Sequence, residues 1–389
     1  MKKLWLSLVI IVLLAGIYLY HRPVPPATAL IDVPQAPKTV AVDLPWPTAA
    51  QSAVGAQGYG LLASHNAQTP QPIASIAKII TALAVLQKKP ITDGQGETIT
   101  LTDNDVSLFN KYYAQDGSVA KVATGEKITE YQALQAMLLP SANNMADTMA
   151  AWAFGSLDNY VSYANKMVKN MGLTQTSVGD ASGFGDTTTS TASDLVRLGL
   201  AAINDASIAS IIRQPSASLP VAGTVNNVNW LLGTDGVFGI KTGNTDKAGG
   251  CYLVAAKRQV AGRDISIVGA VLGAPQLNDA INAADDLVKA SDSGFKQVTV
   301  VHKGQKLDSF ITPWGAKSDV AAAQDISLLA WQGLDIKILN GPAELKAPAA
   351  AGHDSGSITV TNGEKSVAGR LIINQSLPGP SWHWRLIRH

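Results

Sequence analysis

The 389-residue sequence predicts an α/β (α+β) chain: helices segregated from an antiparallel sheet, with a small all-β module at the C-terminal end. Three observations predict it. Phe238 to Thr242, Gly250 to Ala256 and Ile265 to Leu272 are apolar runs separated by polar, Gly-containing turns, the pattern of consecutive antiparallel strands. Apolar Ile76, Ile79, Ile80 and Leu83 recur at i, i+3, i+4 and i+7, which is the period of a helix. Beyond Phe295, short alternating runs at 297–302, 336–339, 357–361 and 371–374 are divided by Lys303-Gly304, Asn340-Gly341-Pro342 and Asn362-Gly363, the last a hairpin-turn signal.

Taken in order, the chain opens with Met1-Lys2-Lys3 and an uncharged apolar run of 17 residues, Leu4 to Tyr20. That length is long for a signal h-region and at the lower limit for a membrane span, and either reading exports the rest. The two lysines place the N-terminus in the cytoplasm and everything after His21 outside. An uncleaved signal anchor is expected over residues 1–22, with a signal peptide cut near Ala27-Thr28-Ala29 as the alternative. Prolines 23, 25, 26, 34 and 37 mark 23–43 as an extended linker able to hold a domain off a membrane. Residues 44–295 then form the catalytic domain and 296–389 the β-rich domain.

Within 44–295, apolar runs such as 58–63 suggest opening strands ahead of the helix that carries Ser75 and Lys78. A second helix, Tyr131 to Leu139, stops at Pro140 and yields to a turn, Ser141-Ala142-Asn143-Asn144, before Met145 to Phe154. Asp194 to Ile203 is another amphipathic helix, and Leu287 to Ala290 belongs to a later one. With 46% apolar and 15% charged residues, well-buried cores are expected rather than disorder. A net charge of +1, from 30 basic and 29 acidic side chains, provides no field for a polyanion, so nucleic acid is not an expected partner. The single cysteine, Cys251, cannot form an internal disulfide and reads as a core residue of a strand.

Three short motifs carry the chemistry: Ser75-Ile76-Ala77-Lys78, Ser141-Ala142-Asn143 and Lys241-Thr242-Gly243. They supply a hydroxyl nucleophile, a lysine one helical turn away to take its proton, a Ser/Asn pair to relay protons and a cationic strand to grip a substrate. Ser75 and Lys78 are embedded in an otherwise apolar helix, where unpartnered polar groups are costly. A lysine serves as a base only when its pKa is depressed, and burial beside a second cation, Lys241, does that. Ser141 also has a structural reading as the N-cap of the following helix. Glycine in the strand of Gly239 to Thr245 permits close approach of another backbone, and an extended substrate can pair there as an added strand.

With these motifs the chain resembles the serine D-alanyl-D-alanine carboxypeptidases, the low-molecular-mass penicillin-binding proteins, from about Leu44 to the C-terminus. Leu138 to Ala146, Gly172 to Thr176, Ser182-Gly183-Phe184, Asn229 to Leu232 and Asp246 to Gly249 extend the resemblance beyond the three motifs. It implies the serine β-lactamase/penicillin-binding-protein fold, an antiparallel sheet flanked by helices with a helical subdomain. It further implies that Ser75 is acylated by the penultimate D-alanine of a peptidoglycan stem peptide, with Lys78 as base and Ser141 and Asn143 completing the relay. Lys241 and Thr242 bind the terminal carboxylate, and the backbone N–H groups of Ser75 and Asn244 form the oxyanion hole. Water releases the acyl-enzyme, and β-lactams trap it. No cofactor or metal is implied. Two positions depart from the family pattern. Asn244 stands where histidine is common, and Gly273 to Ala280 carries no arginine. The family's C-terminal amphipathic helix is also reduced to Ser381 to His389, a Trp-rich tail that packs on the β module or touches a membrane interface.

Rival chemistries fare poorly. A class A β-lactamase needs a glutamate between the second and third motifs, and none lies between Ser141 and Lys241. The six histidines all lie outside Ser75 to Lys241, which leaves no triad there, and no His/Cys cluster suits a metal. The remaining alternative is a non-hydrolytic cell-wall-binding or β-lactam-sensing protein on the same scaffold.

Overall fold

The order of strands in the central sheet follows from two tight hairpins. In the computed structural model, which describes residues 2–29, 34–38, 40–66, 68–339 and 344–388, strands Val237–Thr245, Gly249–Val260 and Arg263–Ala274 are consecutive antiparallel neighbours. Val260 pairs with Arg263 across Ala261-Gly262, both at positive φ, the turn whose twist matches flanking strands. Gln51–Ala56 and Gly60–His65 complete the sheet in the order 237–245, 249–260, 263–274, 51–56, 60–65. The strand bearing Lys241-Thr242-Gly243 is therefore an edge strand. The run 58–63 straddles the turn between the two opening strands, with Gly58 in that turn at φ +78°.

Helices Ala192–Asn204 and Leu277–Ala290 pack on this sheet. They cover opposite faces, because Val268 meets the first at Gly199 and its neighbour Gly269 meets Ala284 and Val288 of the second. Helices Ala77–Lys88, Glu130–Leu138, Asn143–Phe154 and Leu157–Asn170 pack together as a helical subdomain over one continuous apolar core. Ala77–Lys88 is buried from Ala77 to Leu86, as a helix apolar on nearly every side must be. Its polar Thr81 is satisfied by Ala181 O at 2.6 Å and by the Tyr160 hydroxyl at 2.7 Å.

The chain divides into two compact units, Ala41–Phe295 and a unit made of both ends, Met1–Val40 with Lys296–His389. The second holds a seven-stranded sheet in the order 336–339, 354–362, 365–373, 317–322, 306–311, 27–28, 344–345. Its core is built from Phe310, Val320, Leu328, Ile358, Val360 and Leu371. Two details differ from the sequence reading. Ala27–Thr28, within the proline-punctuated stretch, is a strand between Lys306–Ile311 and Glu344–Leu345, with Ala27 fully buried. Small side chains with a free backbone between prolines are what such an inserted strand needs. In the hairpin, Asn362 pairs with Lys365, so the loop is Gly363-Glu364. The Asn362 carboxamide instead turns inward to the backbone of Trp331 and Leu334. The Asn340-Gly341-Pro342 turn lies outside the described residues.

The helix Lys2–His21 is largely exposed and is long and apolar enough to cross a membrane.

Candidate active site

Ser75 sits in a 3-10 turn, Ala74–Ile76, that runs directly into helix Ala77–Lys88. Ala74 is held at φ +47°, a left-handed conformation that non-glycine residues rarely take. The bend turns Ser75 out half-buried while Lys78, in the first turn of the helix, is completely buried. Lys78 Nζ lies 2.9 Å from Ser75 Oγ, 2.7 Å from Asn143 Oδ1 and 2.8 Å from the carbonyl oxygen of Ser182. A neutral amine has two N–H donors and one lone pair. Asn143 and Ser182 offer only acceptors, so they take the two N–H groups and leave the lone pair facing the Ser75 hydroxyl.

The electrostatics favour that neutral form. Burial, then the nearby Lys241 charge, holds Lys78 well below the usual lysine range, with Asp180 and Asp147 opposing from behind. Lys241 is 2% exposed and burial lowers it to about 7. Two buried ammonium groups side by side disfavour each other, and Lys78, lowered by both burial and the Lys241 charge, is the one placed to act neutral. Asp147 is itself buried, its carboxyl raised by burial and opposed by a 2.7 Å hydrogen bond from the Tyr112 hydroxyl.

Ser141 is 6% exposed and held at φ +66° between two helices. It does not cap the second of them. Ala142 occupies the N-cap position, with no side-chain cap, and Asn143 is the first helical residue. Asn143 N donates to Ser118 O at 2.8 Å, and the Asn144 carboxamide makes a two-way clamp on the backbone of Ala120. The loop on that side of the pocket is thereby fixed to the same helix terminus as the Asn143 side chain.

Thr242 is 5% exposed, and Lys241 Nζ donates to its carbonyl at 3.0 Å. A Cβ added to Gly243 would stand 3.0 Å from Ala74 Cβ and 3.1 Å from Ser75 N, so glycine lets this edge strand touch the turn that carries Ser75 without displacing it. Asn244 is exposed and borders a cleft of about 550 Å³ lined also by Gln115, Phe184, Asp186, Thr245 and Lys247. After the last core strand, where no arginine stands, the Gln71 carboxamide packs over Gly273.

The structure thus joins Ser75, Lys78 and Asn143 by hydrogen bonds and sets Gly243 against the Ser75 turn. Ser141 is placed two residues before Asn143, and Asn244 opens onto the cleft. Sequence reasoning did not find the role of Ser182, because its contribution is a backbone carbonyl. Its signal was Gly183, which follows at φ +69°; a Cβ there would lie 1.9 Å from Ala74 O. Asp180 supports the same loop by accepting from the backbone N–H groups of Gly183 and Gly185.

Residues 41–276 match a family described as D-alanyl-D-alanine carboxypeptidase. The chain belongs to that family. Among its carboxypeptidase relatives, DacA of Escherichia coli strain K12 is 26% identical over 340 residues, covering 84% of this chain and 83% of that protein. The carboxypeptidase of Streptomyces strain K15 is 26% identical over 233 residues, 56% of this chain and 77% of its own length. Among solved structures, penicillin binding protein 5 of Haemophilus influenzae superposes with a TM-score of 0.62 at 20% identity, covering 87% of this chain and all (100%) of that one. That likeness concerns the fold alone, an antiparallel sheet flanked by helices and an all-β region.

Proposed function

We propose that this enzyme removes the terminal D-alanine from peptidoglycan stem peptides through an acyl-enzyme on Ser75, and that β-lactams acylate the same hydroxyl. The observation that carries the assignment is the threefold contact of Lys78 with Ser75, Asn143 and the Ser182 carbonyl. Ser75 Oγ attacks the penultimate D-alanine carbonyl as its proton passes to the Lys78 lone pair. The oxyanion is received by the backbone N–H groups of Ser75 and Asn244, on the two segments that Gly243 allows to approach. The proton taken up by Lys78 then passes through the Ser141 hydroxyl to the departing amine as the C–N bond breaks, which leaves Lys78 neutral again, and Lys241 with Thr242 holds the terminal carboxylate. Water then cleaves the ester, with Lys78 again as base. The backbone oxyanion donors do not depend on the side chain at 244, so acylation tolerates Asn244.

The apolar helix Lys2–His21 supports an extracytoplasmic location, with the chain anchored to the membrane by its N-terminal segment. The test is twofold. D-Alanine release from a pentapeptide is measured for the wild type, and mass spectrometry after β-lactam treatment compares it with Ser75→Ala. Release together with an adduct confined to the wild type is expected. An adduct that persists in the alanine variant refutes Ser75 as nucleophile, and persistent labelling without release returns the non-hydrolytic binder.

A further inference from the structure

We propose that Asp147 is a positioning residue for the acyl-transfer reaction, a buried anion one helical turn behind Asn143 that stabilises the ammonium formed on Lys78 as Ser75 attacks; the proposal rests on Lys78 acting as the base. Asn143 and Asp147 stand at i and i+4 on helix Asn143–Phe154, so their side chains share one face. Asn143 Oδ1 takes a Lys78 N–H at 2.7 Å, which sets the Asp147 carboxyl in the layer behind that amine, where each charge acts on the other. Asp147 is 3% exposed, and Met145, Ala146, Met149 and Ala150 around it on the helix are buried apolar residues.

The carboxylate has few partners for its depth. Among the described residues Asp105, Asp147 and Asp194 are the buried aspartates, and two of them are held as structural anions usually are. Asp105 accepts from the backbone N–H and the hydroxyl of Thr102 and from the Thr148 hydroxyl. Asp194 accepts from the backbone N–H of Gln175, the Thr176 hydroxyl and the Arg197 guanidinium. Asp147 accepts from the Tyr112 hydroxyl at 2.7 Å, and the half-exposed Lys111 ammonium stands 3.9 Å away. An asparagine oxygen would accept from Tyr112 as well and cost far less to bury, so the tie between helices Asp103–Tyr113 and Asn143–Phe154 does not call for a charge. A cation generated nearby does.

The proposed reaction generates that cation. As the bond forms between Ser75 Oγ and the carbonyl carbon, the hydroxyl proton moves to the Lys78 lone pair and the carbonyl oxygen takes the negative charge. A neutral amine thus becomes an ammonium inside the protein, where Lys241 opposes the new charge and Asp147 offsets it. Asp180, the other carboxylate that acts on Lys78, is half-buried and already accepts from the backbone N–H groups of Gly183 and Gly185. The remaining groups that face Asp147 are Lys111 and Tyr112 on helix Asp103–Tyr113 and the Tyr160 hydroxyl on helix Leu157–Asn170, which is bonded to Thr81. The Tyr112 ring also packs edge to face on Phe184, ring centres 5.4 Å apart, two residues beyond the Ser182 carbonyl that holds Lys78. One tyrosine therefore fixes both the anion and the Ser182 loop about the base.

The test is the pH profile of β-lactam acylation by the full chain in detergent, where the acid limb is the fall in rate as Lys78 becomes protonated. Asp147→Asn keeps the shape and the Tyr112 hydrogen bond and removes the charge alone. Its acid limb is expected to move about one unit to lower pH, because Lys78 loses an anion that raises its pKa, while the plateau rate falls about tenfold because the ammonium is less stabilised. Tyr112→Phe keeps the charge and loses the tie, so it is expected to melt lower with its acid limb in place. An acid limb that does not move in Asp147→Asn, or that moves as far in Tyr112→Phe, overturns the proposal. Carbon-13 NMR of the aspartate carboxyls in the wild type gives a reading that needs no variant to fold: Asp147 is expected to be ionised at pH 7, and a neutral carboxyl there overturns the proposal. Lys78→Met, measured in parallel, separates the two failures. Acylation by that variant near the wild-type rate removes the base and the proposal together, whereas a slow Lys78→Met beside an unaltered Asp147→Asn overturns the proposal alone.

Discussion

Lys78 Nζ stands 2.9 Å from Ser75 Oγ, with Asn143 Oδ1 and Ser182 O occupying its other two directions. This arrangement fixes an amine of one length against the hydroxyl, and it makes Lys78 the residue whose replacement best separates chemistry from folding. Lys78→Met fills the same buried volume and removes the proposed base. Acylation by a β-lactam, followed by stopped-flow fluorescence, is expected to slow by about 10²–10⁴-fold with thermal stability little changed. Acylation within about tenfold of wild type would reject the assigned base.

The pH dependence has a defined sign on each limb. Lys78 must be neutral to accept a proton, and its pKa is lowered by burial and by Lys241, so acylation falls as pH drops through that lowered value. In the proposed mechanism Lys241, lowered to about 7 by burial, holds a carboxylate only when charged, so kcat/KM falls as pH rises above about 7. Lys241→Arg keeps the charge and is expected to lose the alkaline limb. Lys241→Gln removes the charge that depresses Lys78 and shifts the acid limb to higher pH. An acid limb that stays in place in Lys241→Gln contradicts the coupling between the two lysines.

Gly183 makes the Ser182 carbonyl available. A methyl group at this position meets Ala74 O at 1.9 Å, on a backbone already at φ +69°. Gly183→Ala is expected to cost at least about 2 kcal/mol in denaturant unfolding, because both strain and a backbone clash must be relieved. The displaced turn also carries Ser75, so β-lactam labelling of the folded fraction should slow. Unchanged stability and labelling would show that the loop is not held as described.

Glu130 is 1% exposed, its Oε1 has no hydrogen-bond partner among the described residues, and burial raises its carboxyl to about 7. The folded protein therefore holds a proton that the unfolded chain has already released near 4.5. The associated stability is fully present below that value and is lost as pH rises toward and through about 7. Glu130→Gln mimics the protonated form and is expected to be more stable than wild type at pH 8, on the order of 1 kcal/mol once residual solvent screening is allowed for, and about equal at pH 4. Equal melting temperatures at both pH values would contradict a buried, proton-holding Glu130.

Much of this molecule is written in short-range patterns. Periodicity placed the helix that follows Ser75 and the three consecutive strands from 237 to 274, because a helix stripe and a strand pair each report on a handful of neighbours. Side-chain motifs marked Ser75, Lys78, Asn143 and Lys241, since the chemistry of nucleophile and base restricts residue type. Asn362 shows the limit: its local signal is a turn, yet the buried backbone of Trp331 and Leu334 outcompetes that turn for its carboxamide.

By itself, then, the sequence determined the fold class, the motif residues, the catalytic family and the apolar N-terminal helix, all of which rest on residue identity and local spacing. Only the tertiary structure decided what depends on backbone groups and on residues far apart in the chain. It selected the Ser182 carbonyl as a partner of Lys78, 104 residues away, and pressed Gly243 against the Ser75 turn. It also threaded Ala27–Thr28 between the strands Lys306–Ile311 and Glu344–Leu345, far along the chain, and laid Arg385 on the carbonyl of Tyr20. Carbonyls and amides are the same at every position of a sequence; which of them meet is settled by packing alone.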